Sequence, residues 1–220
     1  MEGYSVFDIV GPRMSGPSSS HTAGAVRLAH AAYDIAGHDV AEAELTLYGS
    51  FAETGKGHGT DKALMAGLLG MTPDDARIKE ADRLMRERGI LVDVVFSDEA
   101  VEHPNTARIR ITGANGKLTE VVGQSIGGGS IRIIEINGME VELSGEYPTL
   151  IIQHEDKPGV IAEVTAVLAR LQCNIAFMRV FRHGKGQDAY MTIETDQAIT
   201  PELLEEIDRH CAEVSRVFAV

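Results

Sequence analysis

The chain has 220 residues, of which 44% are hydrophobic and 24% charged, and its formal net charge is −13. This composition is typical of folded proteins rather than disordered ones, and the length favours two domains over one. The acidic excess would repel phosphate groups and anionic lipid, so we expect neither nucleic acid nor a membrane as a partner. Because residues 1–10 lack the basic and apolar regions of a signal peptide, the expected location is the cytoplasm.

The first half of the chain alternates helix and strand patterns. A short apolar segment, Tyr4–Pro12, leads into a loop rich in glycine, proline and serine. Apolar spacing predicts a helix over Ala23–Ile35, with a loop hydroxyl as its N-cap, and then a strand and a second glycine-rich loop, Gly49–Thr60. The other predicted helices are Asp61–Leu69 and Pro73–Arg88, and the predicted strands are Ala43–Tyr48, Leu91–Phe96, Ala107–Thr112, Leu118–Gly123, Ile131–Ile136 and Met139–Leu143.

The second half has the order strand, helix, strand, strand, helix, strand. This order predicts a ferredoxin-like fold, in which two helices cover one face of a four-stranded antiparallel sheet. The predicted elements are Thr149–Gln153, Gly159–Leu171, Ile175–Arg182, Ala189–Glu194, Pro201–His210 and Val214–Val220. Asn137 and Gly138 indicate a tight hairpin, and a hinge at Gly145 and Glu146 gives an α+β protein with domains at 1–145 and 147–220.

The first candidate site is the run Ser18, Ser19, Ser20, His21 and Thr22 at the start of a predicted helix. Free N–H groups at a helix N-terminus, together with hydroxyls, form a cradle for a carboxylate or a phosphate. Serine and threonine are also ordinary helix caps, and on composition the two interpretations have about even odds. Three consecutive serines beside a histidine are more than one cap uses, which favours an anion site.

The second candidate site surrounds His58, within Thr54–Lys62. The glycine spacing does not fit a phosphate-binding P-loop, and Gly57 stands where that loop needs a serine or threonine. Glycines on both sides of His58 allow the backbone and the imidazole to approach a small ligand closely. Imidazole is a suitable general acid or base near neutral pH, but a single histidine in a glycine loop is more often structural.

Two further segments have a structural and a functional interpretation. His103–Thr106 is accounted for mainly by turn chemistry, and Gly127–Ser130 by a bulge between strands, although its backbone could also approach a ligand. In the second half, the turn that contains Asp156 and ends at Gly159 and Val160 presents bare N–H groups, or simply caps the next helix. Asn174 precedes the following strand.

Metal binding by this chain is not expected. His21, His58 and His103 do not have the spacing of a zinc site. Cys173 and Cys211 are isolated, so one copy provides neither a disulfide framework nor the four thiolates of an iron–sulfur cluster.

Three motifs in order, Gly16–Thr22, Gly55–Asp61 and His103–Thr106, resemble those of the β subunit of bacterial iron–sulfur-dependent L-serine dehydratase, and the resemblance spans the chain. Residues 1 to about 145 resemble a domain shared with some phosphoglycerate dehydrogenases, where it binds an anionic regulatory ligand. Residues from about 147 resemble an ACT domain, a fold that senses amino acids at subunit interfaces.

The resemblance implies conversion of L-serine to pyruvate and ammonia by a lyase with a [4Fe-4S] cluster. Since this chain has two cysteines, the resemblance places the cluster in a separate α subunit. It also implies L-serine or another small amino acid as a ligand, and a homodimer. The alternative is a regulatory protein that binds an anion or an amino acid without taking part in catalysis.

The resemblance also assigns roles to individual residues. His58 becomes the proton-transfer residue. The substrate-binding residues implied are Ser18, Ser19, Ser20, His21, Thr22, Gly57, Thr60, Asp61, Asn105 and Thr106. The residues implied for the ACT ligand are Asp156, Gly159, Val160 and Asn174.

Overall fold

The computed structural model describes residues 14–144, 147–182 and 184–219. The chain divides into two compact units, the first ending at Gly138 and the second beginning at Met139. The predicted hinge, Gly145 and Glu146, lies outside the described residues, as does the apolar segment Tyr4–Pro12, so both stay predictions. No helix of the described residues is long and apolar enough to span a membrane.

Residues 14–138, the described part of the first unit, contain four α-helices and five strands. The helices are α1 (Ala25–Ile35), α2 (Gly49–His58), α3 (Thr60–Leu68) and α4 (Ala81–Glu87), with a π-helical segment at Ser19–Gly24 and a 3₁₀ helix at Ala76–Glu80. The strands are β1 (Glu42–Tyr48), β2 (Leu91–Phe96), β3 (Thr106–Thr112), β4 (Leu118–Gly127) and β5 (Ser130–Ile136). Their order is β2-β1-β3-β4-β5, and β1 and β2 pair in parallel while the other neighbours are antiparallel.

Helix α1 is fixed against the sheet and against α3 by two glycines. Val26, Ala29 and Ala32 on its inner face are fully buried. A methyl group at Gly67 would overlap the carbonyl oxygen of Val26, and one at Gly123 would overlap the Leu28 side chain. The missing side chains let α3 and β4 approach α1 closely, which fixes the start of α1 relative to the sheet.

Three predictions for the first unit are wrong in part. The glycine-rich stretch predicted as a loop over 49–60 is mostly helix α2. This helix ends at His58 and is capped by Gly59, which has the left-handed conformation. The predicted start of α1 is π-helical rather than α-helical, and the predicted helix Pro73–Arg88 is a 3₁₀ turn followed by α4. Glycine lowers helix propensity by only about 1 kcal/mol, so packing of Phe51 in the core outweighs it in α2.

The second unit has the predicted ferredoxin-like order. It contains β6 (Met139–Leu143), β7 (Thr149–Glu155), β8 (Ile175–Arg182), β9 (Asp188–Thr195) and β10 (Val214–Ala219), with helices α5 (Val160–Arg170) and α6 (Pro201–His210). Its four-stranded sheet has the order β10-β7-β9-β8, and all neighbouring strands are antiparallel. Apolar residues of α5 and α6 form one core with Leu150, Ile152, Met191 and Ile193 of the sheet. The predicted α+β class is therefore confirmed.

Candidate functional site

The serine run begins the π-helical segment before α1. The Ser18 Oγ accepts a hydrogen bond from the His21 backbone N–H at 3.1 Å, which confirms the predicted hydroxyl N-cap. Ser20 Oγ lies 3.1 Å from His21 Nδ1, and Ser18 Oγ lies 3.4 Å from the same atom. Ser19 is half-buried in the same turn. The serines therefore serve both as a cap and as hydrogen-bond partners of the His21 ring.

His21 is the residue on which the site converges. Its Nε2 lies 3.2 Å from the Ser50 hydroxyl in the first turn of α2. The ring centroid lies 5.2 Å from Phe51 in an edge-on arrangement and 5.0 Å from His58 in a tilted one. His21 thus connects the serine run to both ends of α2.

His58 is the last residue of α2 and is exposed. Gly57 and Gly59 have nothing within 4 Å of the position where a side chain would begin. These two glycines therefore keep the space around His58 open, as the alternating pattern predicted, although His58 lies on a helix and not in a loop. A ligand can therefore reach the His58 side chain from solvent while the His58 ring stays in contact with the His21 ring.

The start of α3 and the end of α2 are closely packed. Thr60 is fully buried, and its Oγ1 has no hydrogen-bond partner within the described part of the chain. Asp61 is in the first turn of α3, where its carboxylate interacts favourably with the helix dipole. Thr60 and Asp61 therefore follow His58 closely in sequence, and the Thr60 side chain points into the protein rather than toward solvent.

The His103–Thr106 segment forms the predicted turn. Its turn is held by the Asn105 N–H, which donates to His103 Nδ1 at 3.2 Å, and by the Thr106 hydroxyl, which donates to the His103 carbonyl at 2.6 Å. The Pro104 carbonyl accepts a hydrogen bond from the Phe51 N–H at 3.3 Å. The turn therefore contacts the start of α2 and lies beside the His21 cluster.

The end of β4 also contributes to the site, which no sequence motif predicted. The Ser125 N–H donates to the Asn105 carbonyl at 2.9 Å, and the Asn105 amide donates to the Ser125 carbonyl at 3.4 Å. A side chain at Gly24 would overlap the Ser125 hydroxyl. Ser125 is fully buried and so joins the π-helical turn to the Asn105 turn.

Two buried hydroxyls, one on the π-helical turn and one on β4, make the interior beside this turn polar. Thr22 Oγ1 and Ser125 Oγ are buried and, among residues 14–144, 147–182 and 184–219, have no hydrogen-bond partner. Thr22 also packs against Gly16, where a side chain would come within 2.6 Å of the Thr22 hydroxyl. Thr22 belongs to a predicted motif, whereas Ser50, Phe51 and Ser125 were not predicted as site residues, since none of them belongs to a repeated or unusual pattern.

The electrostatics of the pair favour a neutral His21. Burial has the largest effect and lowers the pKa of His21, the contact with Ser50 opposes this, and the charge of His58 adds to the lowering. A neutral imidazole has one donor and one acceptor nitrogen, which matches hydroxyls on both sides of the ring. In the described ranges, no three histidine, cysteine or acidic side chains are arranged to hold a metal ion.

The hairpin loop Gly127–Gly129 lies near the end of β4. All three glycines have positive φ, between 62° and 101°, and the pairing of β4 with β5 shifts register before the loop. The Arg27 guanidinium donates to the Gly129 carbonyl at 3.0 Å. The bulge interpretation is thus confirmed, with Arg27 fixing the loop to α1.

In the second unit, the predicted ACT ligand residues do not meet. Asp156 accepts hydrogen bonds from Arg182 at 3.0 Å and from the Gly186 N–H at 3.2 Å. Gly159, with φ 102°, and buried Val160 begin α5 near the same end of the sheet.

Asn174 lies at the other end, where its amide donates to Asp196 at 2.6 Å. Glu155 pairs with Asp188 at one end of β9, while Ile175 pairs with Thr195 at the other end. Strand β9 has eight residues, including the residues at both ends, so the ends lie roughly 23 Å apart at about 3.3 Å per step.

Both halves of the chain match protein families of known description. The family described as "Serine dehydratase beta chain" matches residues 5–90, and the ACT domain family matches residues 148–212. A probable L-serine dehydratase, beta chain, of Bacillus subtilis is 47% identical over 95% of this chain and 94% of that protein. The chain belongs to the L-serine dehydratase beta chain family.

Other relatives agree with this membership and with the fold. The L-serine dehydratase, beta chain, of Peptoniphilus asaccharolyticus is 39% identical over 92% of both chains. The D-3-phosphoglycerate dehydrogenase of Bacillus subtilis is 32% identical over 66% of this chain but only 28% of its own length. The resemblance stated from the three motifs is therefore confirmed, and so is the likeness to part of the phosphoglycerate dehydrogenases.

Proposed function

We propose that this chain is the β subunit of a lyase that converts L-serine to pyruvate and ammonia together with an α subunit that carries a [4Fe-4S] cluster. The observation that carries the proposal is the ring contact between His21 and His58, which joins two of the motifs, while the third motif reaches His21 through the hydrogen bond of Pro104 to Phe51. It occurs in a chain 47% identical, over nearly its full length, to a probable L-serine dehydratase beta chain.

The reaction assigns a role to His58. Loss of water from serine requires a base for the Cα proton and an electrophile for the departing hydroxide, which is a poor leaving group. We assign proton removal to the exposed His58 imidazole, which takes the Cα proton as hydroxide leaves. The resulting aminoacrylate then tautomerises and is hydrolysed by water to pyruvate and ammonia.

The serine run and the Asn105 turn are the proposed binding side of the site. The hydroxyls of Ser18 and Ser20 lie beside His21, at the N-terminal end of a helical segment that favours a carboxylate. Gly57, Asp61, Asn105 and Thr106 are assigned supporting contacts. In this proposal they orient L-serine so that its Cα–H faces His58.

The described residues of this chain do not fit an iron–sulfur cluster, so no step of the reaction is assigned to one here. Cys211 is buried, and burial raises the pKa of its thiol, which disfavours the thiolate that iron requires. Cys173 is the other cysteine, and both belong to the second unit, whereas His21 and His58 belong to the first. The proposal therefore places the cluster in the α subunit.

The second unit is proposed to bind L-serine or another small amino acid as a homodimer. Asp156 and Gly159 lie at one end of the sheet and Asn174 at the other, so one copy cannot place all of them around one small ligand. Two copies related by a two-fold axis can bring opposite ends together.

The test is reconstitution. The chain is combined with its α subunit under anaerobic conditions, and pyruvate formed from L-serine is measured, with D-serine and the α subunit alone as controls. We expect turnover of L-serine that depends on this chain. Equal turnover by the α subunit alone would refute a catalytic role for the chain.

A regulatory protein is the second candidate function. It is favoured by the match of 66% of this chain to part of a D-3-phosphoglycerate dehydrogenase. Under this alternative, the chain binds an anion or an amino acid and changes the activity of a partner that already contains every catalytic group. Full turnover of a complex that carries His58→Ala would support it.

A further inference from the structure

A cavity of about 310 Å³ lies in the second unit. It is lined by residues of β6, β8 and β9 and by Tyr147, which precedes β7. Its volume is at the lower end of the roughly 300–1,000 Å³ usual for small-molecule sites, which suits a ligand the size of one amino acid. Asp156, Gly159, Val160 and Asn174 are not among its lining residues, so it is separate from the predicted ACT ligand residues.

The strand register places the polar lining of the cavity on the face of the sheet opposite the helices. Ile193 packs into the core with α5 and α6, so Thr192 and Glu194 on either side of it point to the other face. On the neighbouring edge strand β8, Phe177 pairs with Glu194. Arg179 pairs with Thr192 two residues further along. A ligand can therefore contact these side chains without disturbing the packing of the helices.

Arg179 is the cation of this cavity. Its only ion pair within the described part of the chain is with Glu142 of β6, and the two side chains are 53% and 54% exposed. Exposed ion pairs contribute little to stability, so a carboxylate from solvent can replace Glu142 beside the guanidinium at little cost. The planar guanidinium binds a carboxylate through two parallel hydrogen bonds, which also fixes the orientation of the ligand.

Glu194 and two aromatic rings supply two further kinds of contact. Glu194 is half-buried beside the cavity, and its carboxylate is suited to accept hydrogen bonds from an ammonium group. The Tyr147 and Phe177 rings lie 6.0 Å apart at 58° to each other and are 41% and 58% exposed. Contact with an apolar side chain would remove this aromatic surface from water, which is favourable.

We propose that this cavity binds a free L-α-amino acid with an apolar side chain, within one copy of the chain. Arg179 binds the carboxylate of the ligand, and Glu194 accepts hydrogen bonds from its ammonium group. Tyr147 and Phe177 contact its side chain. A zwitterion adds no net charge to the cavity, and three separate contacts around one Cα distinguish the L from the D form. The inference is independent of the proposed reaction at His58 and of the proposed two-copy site.

Calorimetry on the full chain tests the class of ligand, with L-leucine as the probe. N-acetyl-L-leucine lacks the ammonium group, L-leucinamide lacks the carboxylate, and L-alanine lacks most of the apolar side chain. We expect L-leucine to bind, and each of these analogues and D-leucine to bind about tenfold more weakly, because each loses one contact. Absence of L-leucine binding at up to about 10 mM, or equal affinity for the analogues, would overturn the proposal.

Substitutions test the residues assigned to the ligand. Arg179→Gln and Glu194→Gln should each weaken L-leucine binding by about tenfold or more, since each removes a charged hydrogen-bond partner. Glu142→Gln removes the carboxylate that competes for Arg179, so it should raise the affinity by up to about fivefold. Arg209→Gln is the matched control, because Arg209 is a similarly exposed arginine of the same unit that pairs with glutamates on α6.

The outcomes separate this cavity from the two-copy site. Thermal melts of each variant distinguish a loss of binding from a loss of folding, and Arg179→Lys, which keeps the charge, should recover part of the affinity. Wild-type affinity in Arg179→Gln would overturn the inference. If L-leucine binding were also lost in Asp156→Ala, the ligand would belong to the two-copy site instead. These measurements do not involve turnover of L-serine, so failure of the proposed reaction would not change their result.

Discussion

The two units arrange their candidate ligand residues in opposite ways. In the first unit, His21 contacts Ser50 and His58 of helix α2, and α2 in turn bonds to the turn at Pro104 through Phe51. In the second, Asp156 and Asn174 are close in sequence yet lie at opposite ends of one sheet.

The reason for this difference is topology. Strands β7 and β8 both pair antiparallel to β9, so they run in the same direction, and helix α5 carries the chain back to the starting end before Asn174. Helix N-termini and strand ends of the first unit instead gather at one place. We therefore expect one copy to supply all the first-unit residues of the proposed site, and two copies to supply those of the proposed site in the second unit.

The strongest test of the first site is removal of His58. We expect His58→Ala to lower turnover of the complex by about 10²- to 10⁴-fold, the usual contribution of a general base. The side chain is exposed, so the free energy of unfolding should change little. Steady-state kinetics and thermal melts of the same preparation check both statements, and a loss of activity that follows a loss of folding would contradict the assignment.

The next largest effect is expected at the contact between Gly24 and Ser125. A methyl group at Gly24 would overlap the Ser125 hydroxyl, so Gly24→Ala should lower the free energy of unfolding by about 1–3 kcal/mol. Gly57→Ala is the control, because it lies in a helix with open space around it and should be neutral or slightly stabilising.

A double-mutant cycle measures the contact directly. Adding Ser125→Ala to Gly24→Ala should recover part of the lost stability in urea denaturation, because the overlapping hydroxyl is gone. Strictly additive changes in the free energy of unfolding would show that there is no steric overlap between a methyl group at position 24 and the Ser125 hydroxyl.

The two-copy site of the second unit can be tested by mixing variants. Asp156→Ala and Asn174→Ala should each weaken binding of the amino-acid ligand by about tenfold, the effect of losing one polar contact. In an equal mixture with subunit exchange, about a quarter of the sites would contain both native residues, and high-affinity binding should return to that extent. Calorimetry on the separate and mixed proteins measures this, and no recovery would favour a site within one copy.

The smallest expected effect is the pH dependence contributed by His21. Its pKa is lowered in the folded chain, so the unfolded state binds the proton more readily. The stabilising contribution is complete above the unfolded pKa of about 6.5 and is lost as pH falls toward the lowered folded pKa. Since the ring is partly exposed, the change should be roughly a few tenths of a kcal/mol. Denaturation of the wild type and of His21→Gln between pH 7.5 and 5, a range of about two units around 6.5, compares the slopes.

Much of the fold follows from local patterns. Strands β2, β6 and β8 and helix α6 have the predicted bounds, and Asn137 and Gly138 both have the positive φ of the predicted tight turn. Helix α2 was missed because Gly49, Gly55 and Gly57 suggest a loop, while its stability comes from burial of Phe51 in the core. Burial of that kind depends on contacts that a local pattern does not contain.

The candidate site was predicted as separate motifs rather than as an arrangement. Serine and histidine in unusual density identified the Ser18 run and His58. Ser125 could not be found this way, since its role comes from a contact with Gly24 and from backbone bonds to Asn105. Asn174 was grouped with Asp156 by resemblance, and only the strand register separates them.

The position of Ser125 has a consequence for how the site opens. Strand β4 is flanked by β3 and β5, so the Ser125 amide should exchange with solvent deuterium only when the whole unit unfolds. The first residues of the π-helical turn, Ser19, Ser20 and His21, lie outside the sheet and are only half-buried, so their amides should exchange faster. The two parts of the site should therefore differ in how often their backbone hydrogen bonds open. A bound ligand should slow deuterium uptake at the His21 amide while leaving that of Ser125 unchanged.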